Sequence, residues 1–235
     1  MADLEADGHF VPVIIVVDMQ EDFCPPDGSL AVQDGRSIAP LINTLLSQPG
    51  LVMRIASQDC HPPDHISFAN NHPPPNNRPF ESFVEIQRPN YSNYGLFTVS
   101  KAALDSLSFP EIEADKFDLV VRKGKHPQIE MYSVFADAFG NIDPTVTMQS
   151  VSADVTSELQ AKGVTDVFVV GLAGDFCVRC TAVDAVKAGF KSWLIEEATK
   201  CVVPANWEQT KDELRTAGVS VINLDHPTVR RLAAA

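Results

Sequence analysis

The chain has 235 residues, 45% of them hydrophobic, with 18 basic against 31 acidic side chains and a formal charge of −13. That length and apolar content suffice for the core of one large domain, and no shift in composition marks a second. The negative charge repels phosphate backbones and anionic lipid, which sets aside nucleic acid and membrane surfaces as partners.

The N-terminus MADLEADGHF is acidic, unlike a secretion signal, and residues 1–10 are expected to be flexible. Residues 11–17 are apolar and largely β-branched, the pattern of a strand buried on both faces. A helix is expected over 38–46 and a second strand over 51–56. An interruption rich in Pro, Asn and Ser then runs from about 62 to 110, and within it 69–109 reads as an atypical long loop. Strand signals return at 119–121, 167–170, 192–195 and 219–224, separated by helical patterns over 151–161, 177–188 and 207–216. Apolar strands joined by helical crossovers predict an α/β fold, a three-layer sandwich with a six-stranded, mostly parallel sheet of Rossmann-like type. No apolar run approaches the ~20 residues that cross a bilayer. Five cysteines, an odd number without small-scaffold spacing, point to a reducing, cytoplasmic setting in which each is judged as a thiol.

Open α/β sheets bind ligands beyond the carboxyl ends of their strands. Asp18, Asp59, Lys123 and Cys177 all stand at or just past such ends. Taken singly, an aspartate there is an ordinary turn or cap and a lysine is ordinarily solvated; their agreement in position is the signal. Cys177 opens a helix, where unpaired N–H groups and the positive end of the dipole favour thiolate, and a nearby lysine is expected to lower its pKa further. Its ordinary reading is a packed cysteine, the role assigned to Cys180 one turn along. A cysteine nucleophile needs a base, which Asp18 can supply, and donors for an oxyanion, which the turn before the helix can supply.

The stretches VDMQEDF (17–23), QDCHPPDHISF (58–68), RKGKHPQIEMYSVF (122–135) and GLAGDFCVRCTAVDA (171–185) resemble the isochorismatase-like cysteine hydrolases, and among them the nicotinamidases. The resemblance runs from about residue 13 to 224. It implies an isochorismatase-like fold and a catalytic triad of Asp18, Lys123 and Cys177. It also implies a cis peptide between Leu172 and Ala173 that aims the amides of Ala173 and Cys177 at the substrate carbonyl oxygen. Phe23 and Tyr132 match aromatic positions near the pyridine ring, and Asp59 and His61 match two ligands of a divalent metal, zinc foremost, with iron the other choice. The activity implied is hydrolysis of nicotinamide to nicotinate and ammonia through a thioester, in NAD salvage, by a protein whose homo-oligomeric state is left open.

One segment departs from that pattern. The family follows DxHPxxHxSF with a Trp-Pro-x-His-Cys stretch, whose histidine is the third metal ligand and whose tryptophan packs on the substrate. Between Pro73 and Lys125 this chain has neither histidine nor tryptophan; 85–109 offers Tyr91, Tyr94 and Phe97 instead. The third ligand is left open between His72 and His65, each of which also reads as a solvated loop residue. The expectation is an incomplete, weak zinc site, with 85–109 poorly ordered. Two other functions stay in view: a cysteine amidase of the same fold acting on a carbamoyl or ureido substrate, and a non-catalytic variant lacking part of the metal and substrate segment.

Overall fold

The computed structural model describes residues 9–87, 94–98 and 107–234. Its centre is a six-stranded sheet built from β1 (Pro12–Val17), β2 (Met53–Asp59), β5 (Leu119–Lys123), β6 (Asp166–Leu172), β7 (Lys191–Lys200) and β8 (Ser220–Ile222), in the order β5-β2-β1-β6-β7-β8. Every neighbouring pair is parallel, so the expected α/β sandwich is found with a wholly parallel main sheet. Each residue of β1 and β6 is buried, as the unbroken apolar run over 11–17 requires.

Period-two side-chain alternation splits β1 between two cores. Val13, Ile15 and Val17 pack with Val155 and Leu159 of α3 (Val155–Ala161), with Val178, Ala182 and Ala185 of α4 (Cys177–Lys187), and with Leu214 of α5 (Trp207–Thr216). On the other face, Ile14 and Val16 pack with Ile42, Leu45 and Leu46 of α1 (Ala39–Leu46) and with Val229 of α6 (Pro227–Arg230). Each such aliphatic side chain contributes about 1.5–3 kcal/mol when withdrawn from water. Among the described residues no helix is long and apolar enough to cross a membrane.

Several boundaries differ from the sequence expectation. The helix expected over 151–161 starts at Val155, because the Asp154 carboxylate caps it by accepting the Ser157 N–H at 3.1 Å. A short helix, α2 (Pro144–Thr147), precedes it with Asp143 as its cap. Strand β7 continues past Ile195 through two glutamates. Glu196 accepts from Trp207 Nε1 and Lys211 Nζ of α5, and Glu197 accepts from the Leu224 N–H, so partners elsewhere in the fold keep both acids in a strand that period alone would end. The segment read as a long loop contains an antiparallel pair, β3 (Phe83–Gln87) and β4 (Tyr94–Thr98), separate from the main sheet. The expectations of flexibility over 1–10 and of poor order over 85–109 fall largely outside the described residues, since 1–8, 88–93 and 99–106 are not described.

The chain lays β1, β2 and β5 outward in one direction, then returns to place β6 on the other side of β1. The reversal leaves a crevice beyond the carboxyl ends of β1 and β6, where open sheets bind their ligands. Asp18 follows the first of these ends and Cys177 lies just past the second.

Candidate active site

Asp18 leaves β1 with φ +47, a left-handed conformation that turns its side chain off the strand path. Its N–H donates to the backbone oxygen of Ser57 on β2, and the Ser57 hydroxyl donates to Asp18 Oδ1 at 2.6 Å. Gln20 clamps the neighbouring strand end: its Nε2 donates to the Asp59 carbonyl at 3.1 Å while its Oε1 accepts the Asp59 N–H at 2.7 Å. Two carboxylates from adjacent strands are thereby held over one point.

Lys123, the last residue of β5, fills that point and is fully buried. Its Nζ stands 2.9 Å from Asp18 Oδ2, donates to Asp59 Oδ1 and to the Met131 carbonyl at 3.1 Å, and lies 3.5 Å from Cys177 Sγ. An ammonium has three protons, and here it faces four acceptors. Burial by itself pulls the Lys123 pKa down, but the charges of Asp18 and Asp59 outweigh it and hold the ammonium well above its ordinary value. Asp18 Oδ2 is near this cation by distance yet makes no aligned hydrogen bond, so it keeps a lone pair for another proton.

Cys177 begins α4 as expected but is only 7% exposed. The expected lowering of its pKa is not found: burial first, then the carboxylates of Asp18 and Asp59, push the thiol well above its ordinary value despite Lys123. The reason is a charge count. One ammonium between two carboxylates leaves the pocket net negative, and a thiolate would be a third anion. The resting group is a neutral thiol beside the carboxylates of Asp18 and Asp59. Ahead of it, the Leu172-Ala173 peptide is cis, and the Ala173 carbonyl accepts from Phe176 and Val178 N–H. First-turn amides such as that of Cys177 have no partner within their own helix. At Gly174 a Cβ would lie 2.7 Å from Cys201 Sγ and 2.8 Å from Thr199 Cγ2, so the elbow admits no side chain there.

Tyr132 is packed beside Phe176, ring centroids 6.2 Å apart, and burial pushes its phenol pKa up. Phe23 ends a single 3₁₀ turn after β1 and packs against the α1-side core. Cys180 is half-buried, and burial raises its pKa too.

The residues implied as metal ligands separate into two groups. Asp59 belongs with Asp18, Lys123 and Cys177. His61 lies instead in a second group with His65 and Glu130, one ligand atom from each within 4.8 Å of the others. The imidazoles of His61 and His65 stack with centroids 3.8 Å apart, and His61 Nε2 is 3.4 Å from Glu130 Oε1. Of the two alternatives for a further ligand, His65 is in this group; the Nε2 of His72 is 2.6 Å from the Ile66 carbonyl. Two imidazoles and a carboxylate are a donor set suited to zinc or ferrous iron, so the chemistry of the residues present fits a divalent metal. Glu130, Ser57 and Gln20 were not singled out from sequence. Glu130 carried a usable signal, an acid between Ile129 and Met131 inside the RKGKHPQIEMYSVF stretch, both of which are buried. Ser57 and Gln20 carried none, since their roles depend on strand neighbours.

Residues 133–226 match the family model of the Isochorismatase domain. A nicotinamidase of Acinetobacter baylyi is 34% identical over 213 residues, covering 89% of this chain and 91% of that protein. The structure of a nicotinamidase and pyrazinamidase from Acinetobacter baumanii superposes with a TM-score of 0.76 at 35% identity, over 92% of this chain and 97% of its own. The pyrazinamidase of Pyrococcus horikoshii in complex with zinc is 28% identical, with a TM-score of 0.62 over 90% of this chain and 98% of its own.

Proposed function

The chain belongs to the nicotinamidase family of isochorismatase-like hydrolases, and on that premise we propose that it hydrolyses nicotinamide to nicotinate and ammonia through a thioester on Cys177. The observation that carries this reading is the placement of Lys123 Nζ 2.9 Å from Asp18 Oδ2 and 3.5 Å from Cys177 Sγ, at the topological switch of the sheet. Asp18 Oδ2 takes the thiol proton as sulfur bonds to the carboxamide carbon. The proton transfer leaves the net charge of the pocket unchanged, and this matters because the free thiolate is disfavoured there. Lys123 balances the sulfur during attack, and the amides of Ala173 and Cys177 donate to the carbonyl oxygen as it gains charge. Asp18 then returns the proton to the departing nitrogen, the C–N bond breaks, and ammonia leaves. Water, deprotonated by Asp18, attacks the thioester; the C–S bond breaks and the thiol is restored.

Tyr132 and Phe23 supply aromatic surface for the pyridine ring. A divalent metal, zinc foremost, would supply when bound a Lewis-acid anchor for the ring nitrogen, a positioning role. The histidine and carboxylate donors beside the pocket support nicotinamide over a carbamoyl or ureido substrate, which would leave them without a task. Nicotinate so formed is a precursor for NAD salvage. We place the reaction in the cytoplasm, a reading supported by five cysteines that are all free thiols.

A coupled assay of ammonia release from nicotinamide, with ureido and carbamoyl compounds in parallel and zinc added or withheld, tests the proposal. Release from nicotinamide that disappears in Cys177→Ala is expected. Turnover of the ureido compounds alone, or turnover retained by Cys177→Ala, overturns it.

A further inference from the structure

We infer that Ser57 is a positioning residue for the reaction: its hydroxyl claims one oxygen of Asp18, so that the other, Oδ2, is the one that receives the thiol proton and passes it to the departing nitrogen. The inference rests on the Cys177 mechanism proposed above and deepens it. Ser57 lies inside β2 without solvent exposure, two residues after Ile55, which packs in the core shared with α4. Period-two alternation puts the Ser57 side chain on that same face. An apolar residue would suit such a place, because a buried hydroxyl costs free energy unless it is hydrogen-bonded. Among the described residues, both hydrogen bonds of this hydroxyl go to Asp18. Its Oγ accepts the Asp18 N–H at 3.2 Å and donates to Asp18 Oδ1 at 2.6 Å, so one side chain ties the backbone and the carboxylate of the base together.

The second observation is on the other oxygen. Lys123 Nζ has three protons, and Asp59 Oδ1, the Met131 carbonyl and Cys177 Sγ are aligned to take them. Asp18 Oδ2, 2.9 Å from the same nitrogen, is buried and has no hydrogen-bond partner among the described residues. An orphaned buried acceptor is costly, and here it has a use: it can take a proton without first giving up a donor. Without the Ser57 hydroxyl, the carboxylate is free to turn until Lys123 donates to it in line, and the lone pair needed for the thiol proton is then engaged. The bonds balance. The S–H bond breaks to Oδ2, the sulfur pair forms the S–C bond, and the carbonyl π pair moves onto oxygen. That same proton leaves Oδ2 for nitrogen as the carbonyl re-forms and the C–N bond breaks. Ser57 neither gains nor loses a proton in these steps; it holds Oδ1 throughout.

The test is steady-state and single-turnover kinetics of the full-length protein with nicotinamide, and with ureido and carbamoyl compounds in parallel, for wild type, Ser57→Ala and Ser57→Thr, beside a urea melt of each. Ser57→Ala removes one oxygen and is expected to lower kcat by about 10–100-fold, the scale of a misplaced base, with thioester formation slowed by the same factor. Its KM should stay within about 2-fold of wild type, since only a transition-state interaction is lost. Ser57→Thr, which keeps the hydroxyl, should restore most of the rate. A hydroxyl that only completes the strand would shift the melt without slowing thioester formation. Wild-type kcat in Ser57→Ala, a raised KM at unchanged kcat, or a folded Ser57→Thr as slow as Ser57→Ala overturns the inference. Should Ser57→Ala not fold, Ser57→Cys, a weaker donor of similar size, is held to the same criterion. Equal turnover of nicotinamide by wild type and Ser57→Ala would sink this inference and leave the nicotinamidase reading standing. A slowed Ser57→Ala on a ureido or carbamoyl compound, with nicotinamide untouched by wild type, would do the reverse. Wild type that turns over none of these amides overturns both.

Discussion

At the scale of single residues, the site is governed by how many charges share a small volume. Lys123 is the only cation touching Asp18, Asp59 and Cys177 among the described contacts, and it is buried with them. Lys123→Met leaves two buried carboxylates uncompensated and is expected to cost about 3–5 kcal/mol of stability, read as a lower urea midpoint, together with loss of turnover. The raised Cys177 pKa gives a signed pH prediction. Alkylation needs thiolate, so inactivation by iodoacetamide should keep accelerating with pH past about 8.5, where an ordinary thiol titrates. A rate that levels off below that pH would mean the thiol is acidified, as its helix-start position alone suggests. The same buried thiol lies within 4.8 Å of a carboxylate oxygen from each of Asp18 and Asp59, a context that α4 by itself does not contain. Gly124→Ala should push the His61 ring off its carbonyl partner and weaken zinc by about 10–100-fold while leaving the circular dichroism spectrum unchanged.

At the scale of elements, the elbow between β6 and α4 sets where the thiol stands relative to the lysine. It is packed against the end of β7, whose Lys200 carbonyl accepts the Gly174 N–H at 2.8 Å. A methyl at position 174 would press on Cys201 and on Thr199, whose hydroxyl is tied to the Ile195 carbonyl at 3.0 Å. Gly174→Ala is therefore expected to cost about 1–3 kcal/mol and to lower kcat more than it raises KM, since it shifts the nucleophile against its partners; melts and steady-state kinetics with nicotinamide would check both. The elbow was legible in GLAGDFCVRC because small residues between a β-branched run and a helix have few uses. Its bracing by β7 was not, for Cys201 is distant in sequence and reads as one more thiol. The 85–109 stretch, whose composition reads as loop, holds parts of an antiparallel pair because strand pairing is a cross-chain event that local propensity does not encode.

At the scale of the whole molecule, β1 is the shared wall of both cores and the neighbour of both β2 and β6. Ile15→Ala, at a fully buried position in its centre, is expected to cost about 2–5 kcal/mol by urea melt, with activity of the remaining folded protein retained since Ile15 touches no site residue through a polar contact. Sequence alone determined the α/β class, the buried central strands, and the coincidence of Asp18, Asp59, Lys123 and Cys177 at strand ends, because a parallel sheet buried on both faces writes its strands as apolar runs separated by helical patterns, and reactive side chains at the ends of several such runs share one edge of the sheet. It also carried the family resemblance in four short stretches. Tertiary structure decided what those residues do to one another. The order β5-β2-β1-β6 put Lys123 between two aspartates, reversing the pKa expected for Cys177. It also divided the expected ligands, sending Asp59 to the lysine and gathering His61 with His65 and Glu130. The division of roles is a matter of distances of a few ångströms between strands far apart in the chain, and in a buried pocket those distances, rather than residue type, settle which charge is balanced.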